Sequence, residues 1–261
     1  MKDGLKTALI TGASSGIGYE LCFLLAQDGY DLVVVARRKE KLEELAVTIQ
    51  KQYGRTVHIF ASNLTEEGAP KKLYQRVNEQ GLKIGVLINN AGLGRYGKFS
   101  EMNQQTSDEM IQLNISALTS LTGFFMQDMI NTGHGRILNV ASLVAFQPGG
   151  PQMAVYYASK AYVLSFTRSL RAELKGTGVT VTALCPGPTK TEFGQADQVQ
   201  TIRLYKLANT TAKQVAKAGY KALKSNRATV VPGLLNKVLA FAGELPPRMI
   251  ALQVNKFLLK S

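Results

Sequence analysis

Short apolar runs rich in β-branched residues alternate along the chain with longer stretches whose apolar residues recur every three or four positions. The short runs, at 7–11, 31–36, 56–62, 84–89, 136–142, 179–185 and 228–231, predict strands. The longer stretches, at about 17–28, 39–52, 67–79, 103–130 and 152–175, predict helices between them. In the second of these, Leu42, Leu45, Ala46 and Ile49 mark one face. Leu32-Val33-Val34-Val35 is apolar throughout, as expected of a strand covered by helices on both sides. Strand and helix in alternation predict an α/β fold with a parallel sheet. Two segments break the rhythm. The polar, basic stretch 189–226 should form one or two helices over the edge of the sheet, a lid on the substrate side. The tail 234–261 carries apolar residues at helical spacing, interrupted by Pro246-Pro247. No repeat or flexible linker divides the 261 residues, so one domain is the better count.

Composition narrows the class. With 45% hydrophobic and 19% charged residues the chain is ordinary globular protein, not disordered. It has no apolar run long enough to span a bilayer, and its start lacks the apolar core of a signal peptide, so the expected location is cytoplasmic. Cys22 and Cys185 form no CxxC pair and read as buried reduced thiols. With only His58 and His134 beside them, no metal site is expected. The net charge of +13 is unevenly placed: residues 201–261 hold 11 Lys/Arg against the single Glu244, while residues 1–200 hold 20 against 17 acids. That asymmetry argues against a nucleic-acid footprint across the domain. The basic quarter has three readings: a solvated face of lid helices, an oligomer contact or tail docked on the body, or peripheral attachment to anionic lipid.

Chemistry enters at the first strand–helix turn, Thr11-Gly12-Ala13-Ser14-Ser15-Gly16-Ile17-Gly18. Glycines there permit a sharp turn and let backbone N–H groups approach a pyrophosphate at a helix N-terminus. The same residues form a Gly-x-Ser-x-Gly motif that would make Ser14 the nucleophile of a serine hydrolase. That rival is weak, because a first-strand elbow has no upstream loop to complete an oxyanion hole. At the end of the second strand, where a carboxylate would select NAD, stand Arg37, Arg38 and Lys39. Read blandly they are a solvated cluster, but three cations oppose a helix N-terminus unless an anion joins them, which favours NADP(H).

Tyr156 and Lys160 stand four apart on a predicted helix and share a face. An ammonium near a phenol lowers its pKa toward the range that acid–base work at a carbonyl requires. Such pairs also occur on plain helix surfaces. Ser142 should end the fifth strand, at the sheet edge where open α/β sheets bind ligands, and could hydrogen-bond a substrate oxygen. Asn114 lies within a long helical run, either making a water or backbone contact or simply sitting on the surface.

Taken in order, Thr11-Gly12-x-x-x-Gly16-x-Gly18, Asn89-Asn90-Ala91-Gly92, Asn114, Ser142, Tyr156-x-x-x-Lys160 and Pro186-Gly187 resemble the short-chain dehydrogenase/reductase family of the single-domain type over about residues 5–193. The resemblance implies a doubly wound, Rossmann-type, seven-stranded parallel sheet with helices on both faces. It further implies Tyr156 as the acid/base, Lys160 as its tuner and holder of the nicotinamide ribose, Ser142 as the group polarising the carbonyl, and Asn114 as the anchor of a relay water. Cofactor contacts are implied for Gly12, Ser14, Ser15, Gly16, Ile17, Gly18, Arg37, Arg38, Asn63, Leu64, Asn90, Ala91, Gly92, Pro186, Gly187, Thr189 and Thr191. Ser142, Val144 and Tyr156 should meet the substrate. Asn63 stands where the family often has Asp, and Thr189 where Ile or Val is usual.

The implied activity is NADPH-dependent reduction of a ketone or aldehyde, in a homodimer or homotetramer. The Pro-Gly-Pro-Thr-Lys-Thr-Glu-Phe run and basic tail are similar to the branch with steroid and long-chain acyl ketoreductases, favouring a hydrophobic substrate. Leu93, Tyr96, Phe99, Val144, Phe146 and Met153 should line its pocket. The non-enzyme alternative is an NADP-binding regulatory module, which would have no use for a complete set of proton-transfer groups.

Overall fold

The computed structural model describes residues 6–194 and 210–244. Strands β1 (Thr7–Thr11), β2 (Asp31–Ala36), β3 (Val57–Ala61), β4 (Ile84–Asn89), β5 (Gly135–Val140), β6 (Val179–Leu184) and β7 (Thr229–Val230) form one parallel sheet in the order β3-β2-β1-β4-β5-β6-β7. Helices α1 (Gly16–Gln27), α2 (Lys39–Tyr53), α3 (Ala69–Glu79), α4 (Gln104–Ile111), α5 (Leu118–Thr132), α6 (Ala154–Glu173), α7 (Ala212–Lys224) and α8 (Leu234–Glu244) accompany it.

Strand residues divide between two cores by alternation. Ala8, Ile10, Leu32 and Val34 meet Leu21 and Leu25 of α1 and Leu42, Leu45 and Ile49 of α2. Leu9, Val33, Val35 and Leu87 point the other way, onto Leu73 of α3, Leu121 and Phe125 of α5 and Leu170 of α6. Between β4 and β5 the second core carries a polar ladder. Asn89 Nδ2 donates to Asn139 Oδ1 and Thr122 Oγ1, each at 2.9 Å, and Asn139 Nδ2 donates to Thr167 Oγ1 at 3.0 Å. All four residues are buried, and these bonds offset part of what desolvation of the amides costs, Asn89 Oδ1 being left without a partner among the described residues.

The chain after β6 departs from the expected edge lid. Thr211 and Gln214 form a capping box that starts α7. Val215, Ala216 and Leu223 of that helix are buried in the same core as α1, because its apolar positions make a stripe wide enough to cover the sheet. Helix α7 is therefore core structure; of the expected lid, residues 195–209 lie outside the described residues, and among the described ones Thr189, Thr191, Glu192 and Phe193, around the Thr189–Lys190 strand that pairs with Thr210–Thr211, line the groove. Helix α8 buries Ala240 and Gly243 but leaves Leu234, Leu235, Val238 and Phe241 exposed. Pro246-Pro247 and the basic apolar stretch 256–260 lie outside the described residues. Among the described residues, no helix is long and apolar enough to cross a membrane.

Candidate active site

A groove of about 480 Å³ opens at the carboxyl ends of the strands, where the sheet order reverses between β1 and β4. Its floor is the glycine turn, held by the turn after β4. Thr11 Oγ1 accepts from the backbone N–H groups of Asn90 and Ala91, both at 3.0 Å. Asn90 Nδ2 donates to the carbonyls of Thr11 at 2.9 Å and Gly12 at 3.1 Å. Asn90 thus braces the glycine loop while also lining the groove, where the resemblance implies a cofactor contact. Space is tight: a Cβ on Gly18 would come 2.5 Å from the Gly12 carbonyl oxygen. Substituting Gly18→Ala should therefore cost about 1–3 kcal/mol of stability. The check is thermal denaturation, and an unshifted midpoint would contradict this account of the turn.

Helix α1 begins at Ser15 with no side-chain cap and no acidic residue in its first turn. Its N-terminal donors are thus left to an anion, which fits the pyrophosphate of a dinucleotide. Beyond the turn, Arg37 and Arg38 lie on the groove rim, both exposed. Arg38 donates to Ser14 Oγ at 3.0 Å and to Glu192 Oε2 at 2.8 Å. Asn63 Oδ1 accepts from the backbone N–H and hydroxyl of Thr65, which fixes the loop after β3.

The catalytic candidates converge from three elements. Tyr156 and Lys160 lie one turn apart on α6, with the Lys160 Nζ 5.9 Å from the Tyr156 ring centroid. Lys160 is 4% exposed and donates to the Val140 carbonyl at 3.0 Å. Burial lowers its ammonium from the ordinary lysine value to about 8. The neighbouring Tyr157 is pushed up by burial and so is ill suited to give or take a proton.

Ser142 does not end β5, which stops at Val140; it caps the short 3-10 turn Leu143–Phe146. Its Oγ accepts from the Val144 N–H at 3.3 Å, a local bond that turns the chain out of the strand.

Asn114 is buried, not a surface residue, and sits in a π-helical turn, Gln112–Ala117, between α4 and α5. Its amide grips the Leu93 backbone in both directions, each at 2.8 Å, and donates to Ser159 Oγ at 3.0 Å. Ser159 in turn donates to the Tyr156 carbonyl at 2.8 Å. Asn114 thus ties the loop after β4 to the first turn of α6.

Of the residues expected to carry catalysis or hold the cofactor, all but Gly18 and Asn114 line the groove; Gly18 packs against the Gly12 carbonyl and Asn114 against Leu93, both of which do. An apolar cluster of Met110, Val144, Met153, Tyr156 and Tyr157, with Leu93, Tyr96 and Phe193 packed on it, lies at the Tyr156 end of the groove. Phe99 and Phe146 do not join it. Phe99 is 61% exposed, and Phe146 packs with Leu143 and Ala240 beneath α8. Sequence reasoning missed Glu192 and Phe193. The signal available was an acid and an aromatic directly after Thr191, within reach of the arginines only once the chain has folded. Ser14 Oγ is bonded to Arg38 and no histidine lines the groove, so the hydrolase reading lacks a base. Cys22 and Cys185 are free and buried.

This geometry has close parallels. Residues 6–201 match the short chain dehydrogenase family. The chain is 31% identical over 252 residues to the ketoacyl reductase HetN of Nostoc sp., a match covering 94% of this chain and 86% of that one. It is 34% identical over 194 residues to a short chain dehydrogenase of Pseudocercospora fijiensis, covering 74% of this chain but spanning only 62% of that relative's length. Steroid dehydrogenases and a very-long-chain 3-oxoacyl-CoA reductase are also among the relatives. A Sphingobium yanoikuyae short-chain dehydrogenase solved with NADPH superposes with a TM-score of 0.81 at 33% identity, covering 92% of this chain and 93% of that one. The chain belongs to the short-chain dehydrogenase/reductase family, whose members are NAD(P)-dependent oxidoreductases.

Proposed function

We propose that this protein is an NADPH-dependent reductase of a ketone or aldehyde carried on an apolar molecule, working reversibly. The observation that carries the reading is the buried Lys160 ammonium, 5.9 Å from the Tyr156 ring in the wall of a groove that also takes in the glycine turn. NADPH, when bound, supplies the hydride that goes to the carbonyl carbon. Tyr156 donates its hydroxyl proton to the carbonyl oxygen, and the Lys160 charge stabilises the tyrosinate left behind. Ser142 Oγ already accepts from Val144, so its own hydrogen remains to donate to the substrate oxygen. That contribution is on the order of 3 kcal/mol, as for other single oxyanion donors. The Asn114 side chain is committed to Leu93 and Ser159, which leaves its backbone to hold the water that returns a proton to Tyr156.

Leu93, Tyr96, Val144 and Met153 beside Tyr156 support an apolar substrate, and the ketoacyl reductase relative supports an acyl ketone among such compounds. Arg37 and Arg38 at the rim support NADP(H) over NAD(H), and the NADPH complex of the Sphingobium relative agrees with that choice. The exposed apolar ridge of α8 beside a basic C-terminal quarter supports peripheral contact with anionic lipid, in a single-domain cytoplasmic protein that assembles as a homodimer or homotetramer.

The cofactor assignment is tested by steady-state kinetics on Arg37→Ala and Arg38→Ala. Loss of a charge-assisted contact of about 1.5–3 kcal/mol should raise the NADPH KM roughly 10- to 100-fold while the NADH KM stays nearly constant. Equal changes for the two cofactors would reject it.

A further inference from the structure

The two residues that sequence reasoning missed lie in one short 3-10 turn, Glu192–Gly194, that crosses the groove. At one end, Glu192 Oε2 meets the Arg38 guanidinium at 2.8 Å, and the same guanidinium nitrogen donates to Ser14 Oγ at 3.0 Å. The Arg38 guanidinium holds the Glu192 carboxyl below the usual carboxylate range, in its charged form. At the other end, the Phe193 ring leans on Tyr156 with centroids 5.8 Å apart. A Cβ on Gly94 would come 2.7 Å from the Phe193 ring, so the absence of a side chain there is what lets the ring lie this close.

Arg38 is a donor suited to a phosphate, yet its guanidinium is already paired with a carboxylate from the chain itself. One guanidinium cannot serve two anions without bringing like charges together. We infer that Glu192 is a specificity-determining residue: it competes with the 2′-phosphate of NADP(H) for Arg38, and so narrows the preference for NADP(H) over NAD(H) that the arginines create. NAD(H) has a neutral hydroxyl in place of the 2′-phosphate and leaves the Arg38–Glu192 pair in place. NADP(H) must displace the carboxylate, which also frees the turn carrying Phe193 from the rim. This rests on the NADP reading above.

The test is calorimetric titration with 2′,5′-ADP and 5′-AMP, which isolate the phosphate from hydride chemistry. The pair is half-exposed, so its strength is that of a surface ion pair, and Glu192→Gln should tighten 2′,5′-ADP by about fivefold. Binding of 5′-AMP should change by less than about twofold. Glu192→Ala should act in the same direction, and in an Arg38→Ala background the Glu192→Gln effect should vanish. If wild-type protein favours 2′,5′-ADP over 5′-AMP but Glu192→Gln does not alter that ratio, the role given to Glu192 is overturned and the NADP reading stands. If the variant tightens both nucleotides equally, general charge repulsion replaces competition for Arg38, and the inference fails. If wild-type protein does not favour 2′,5′-ADP at all, the NADP reading fails and takes this inference with it.

Discussion

Replacing Tyr156 by Phe should lower kcat by about 10²–10⁴ while leaving the fold and dinucleotide affinity intact. The ring is buried against Met153, Val144 and Phe193, and Phe preserves all of that packing. What is lost is the one hydroxyl on this face of α6 suited to pass a proton, because burial raises the Tyr157 phenol next to it. The measurement is NADPH oxidation against a panel of aldehydes, ketosteroids and acyl-thioester ketones, with dinucleotide binding followed in parallel. Turnover like that of wild type in a folded Tyr156→Phe protein would remove the basis of the reductase assignment.

Lys160→Met should separate activity from stability. Catalysis needs the ammonium charged, a condition met below about pH 8. The variant should lose about 10²-fold or more in kcat, along with the fall in activity expected of the wild type as Lys160 deprotonates above that pH. Folding responds in the opposite sense. The Lys160 pKa is depressed from 10.5 in the unfolded chain to about 8 in the fold, so the folded state gives up a proton that the unfolded chain retains between those values. Wild-type stability should therefore rise with pH across that window, and below it the buried charge is a standing cost. Met fills the same space without the charge but forfeits the bond to Val140. A net gain on the order of 2 kcal/mol is expected at pH 7, shrinking as the pH approaches 10. Denaturation at pH 7 and pH 10 decides the matter, and a variant less stable than wild type at pH 7 would show that the charge is compensated by its surroundings.

Much of this was legible because it is local. Continuous apolar strands, the glycine turn and a Tyr and Lys four apart are properties of neighbouring residues; the alternation of strand and helix implies a parallel sheet, and the family resemblance implies its seven-stranded, doubly wound form. What was not legible depends on contacts between distant segments. Nothing in the periodicity of 103–130 marks the π-helical turn that carries Asn114 inward, since one extra residue in a helical turn leaves the apolar spacing nearly unchanged. The stripe on α7 is visible in the sequence, but that it belongs beside α1 rather than over the groove is a tertiary choice. Glu192 and Arg38 are 154 residues apart, and only folding places one against the other. Ser142 shows the smaller kind of error, an element boundary shifted by a side chain that bonds its own backbone.

The amide ladder beneath the groove has a consequence for how the sheet is aligned. Asn89 and Asn139 face each other across β4 and β5, and their bonds exist in that alignment alone. Sliding either strand by one residue would turn its amide to the opposite face, leaving two dry amides unmatched and apolar side chains in their place. Hydrophobic packing tolerates near misses, whereas donors and acceptors do not. The ladder therefore acts as an index mark for the two central strands, and the turns that carry Asn90 and Ser142, one to three residues farther along, take their positions from it.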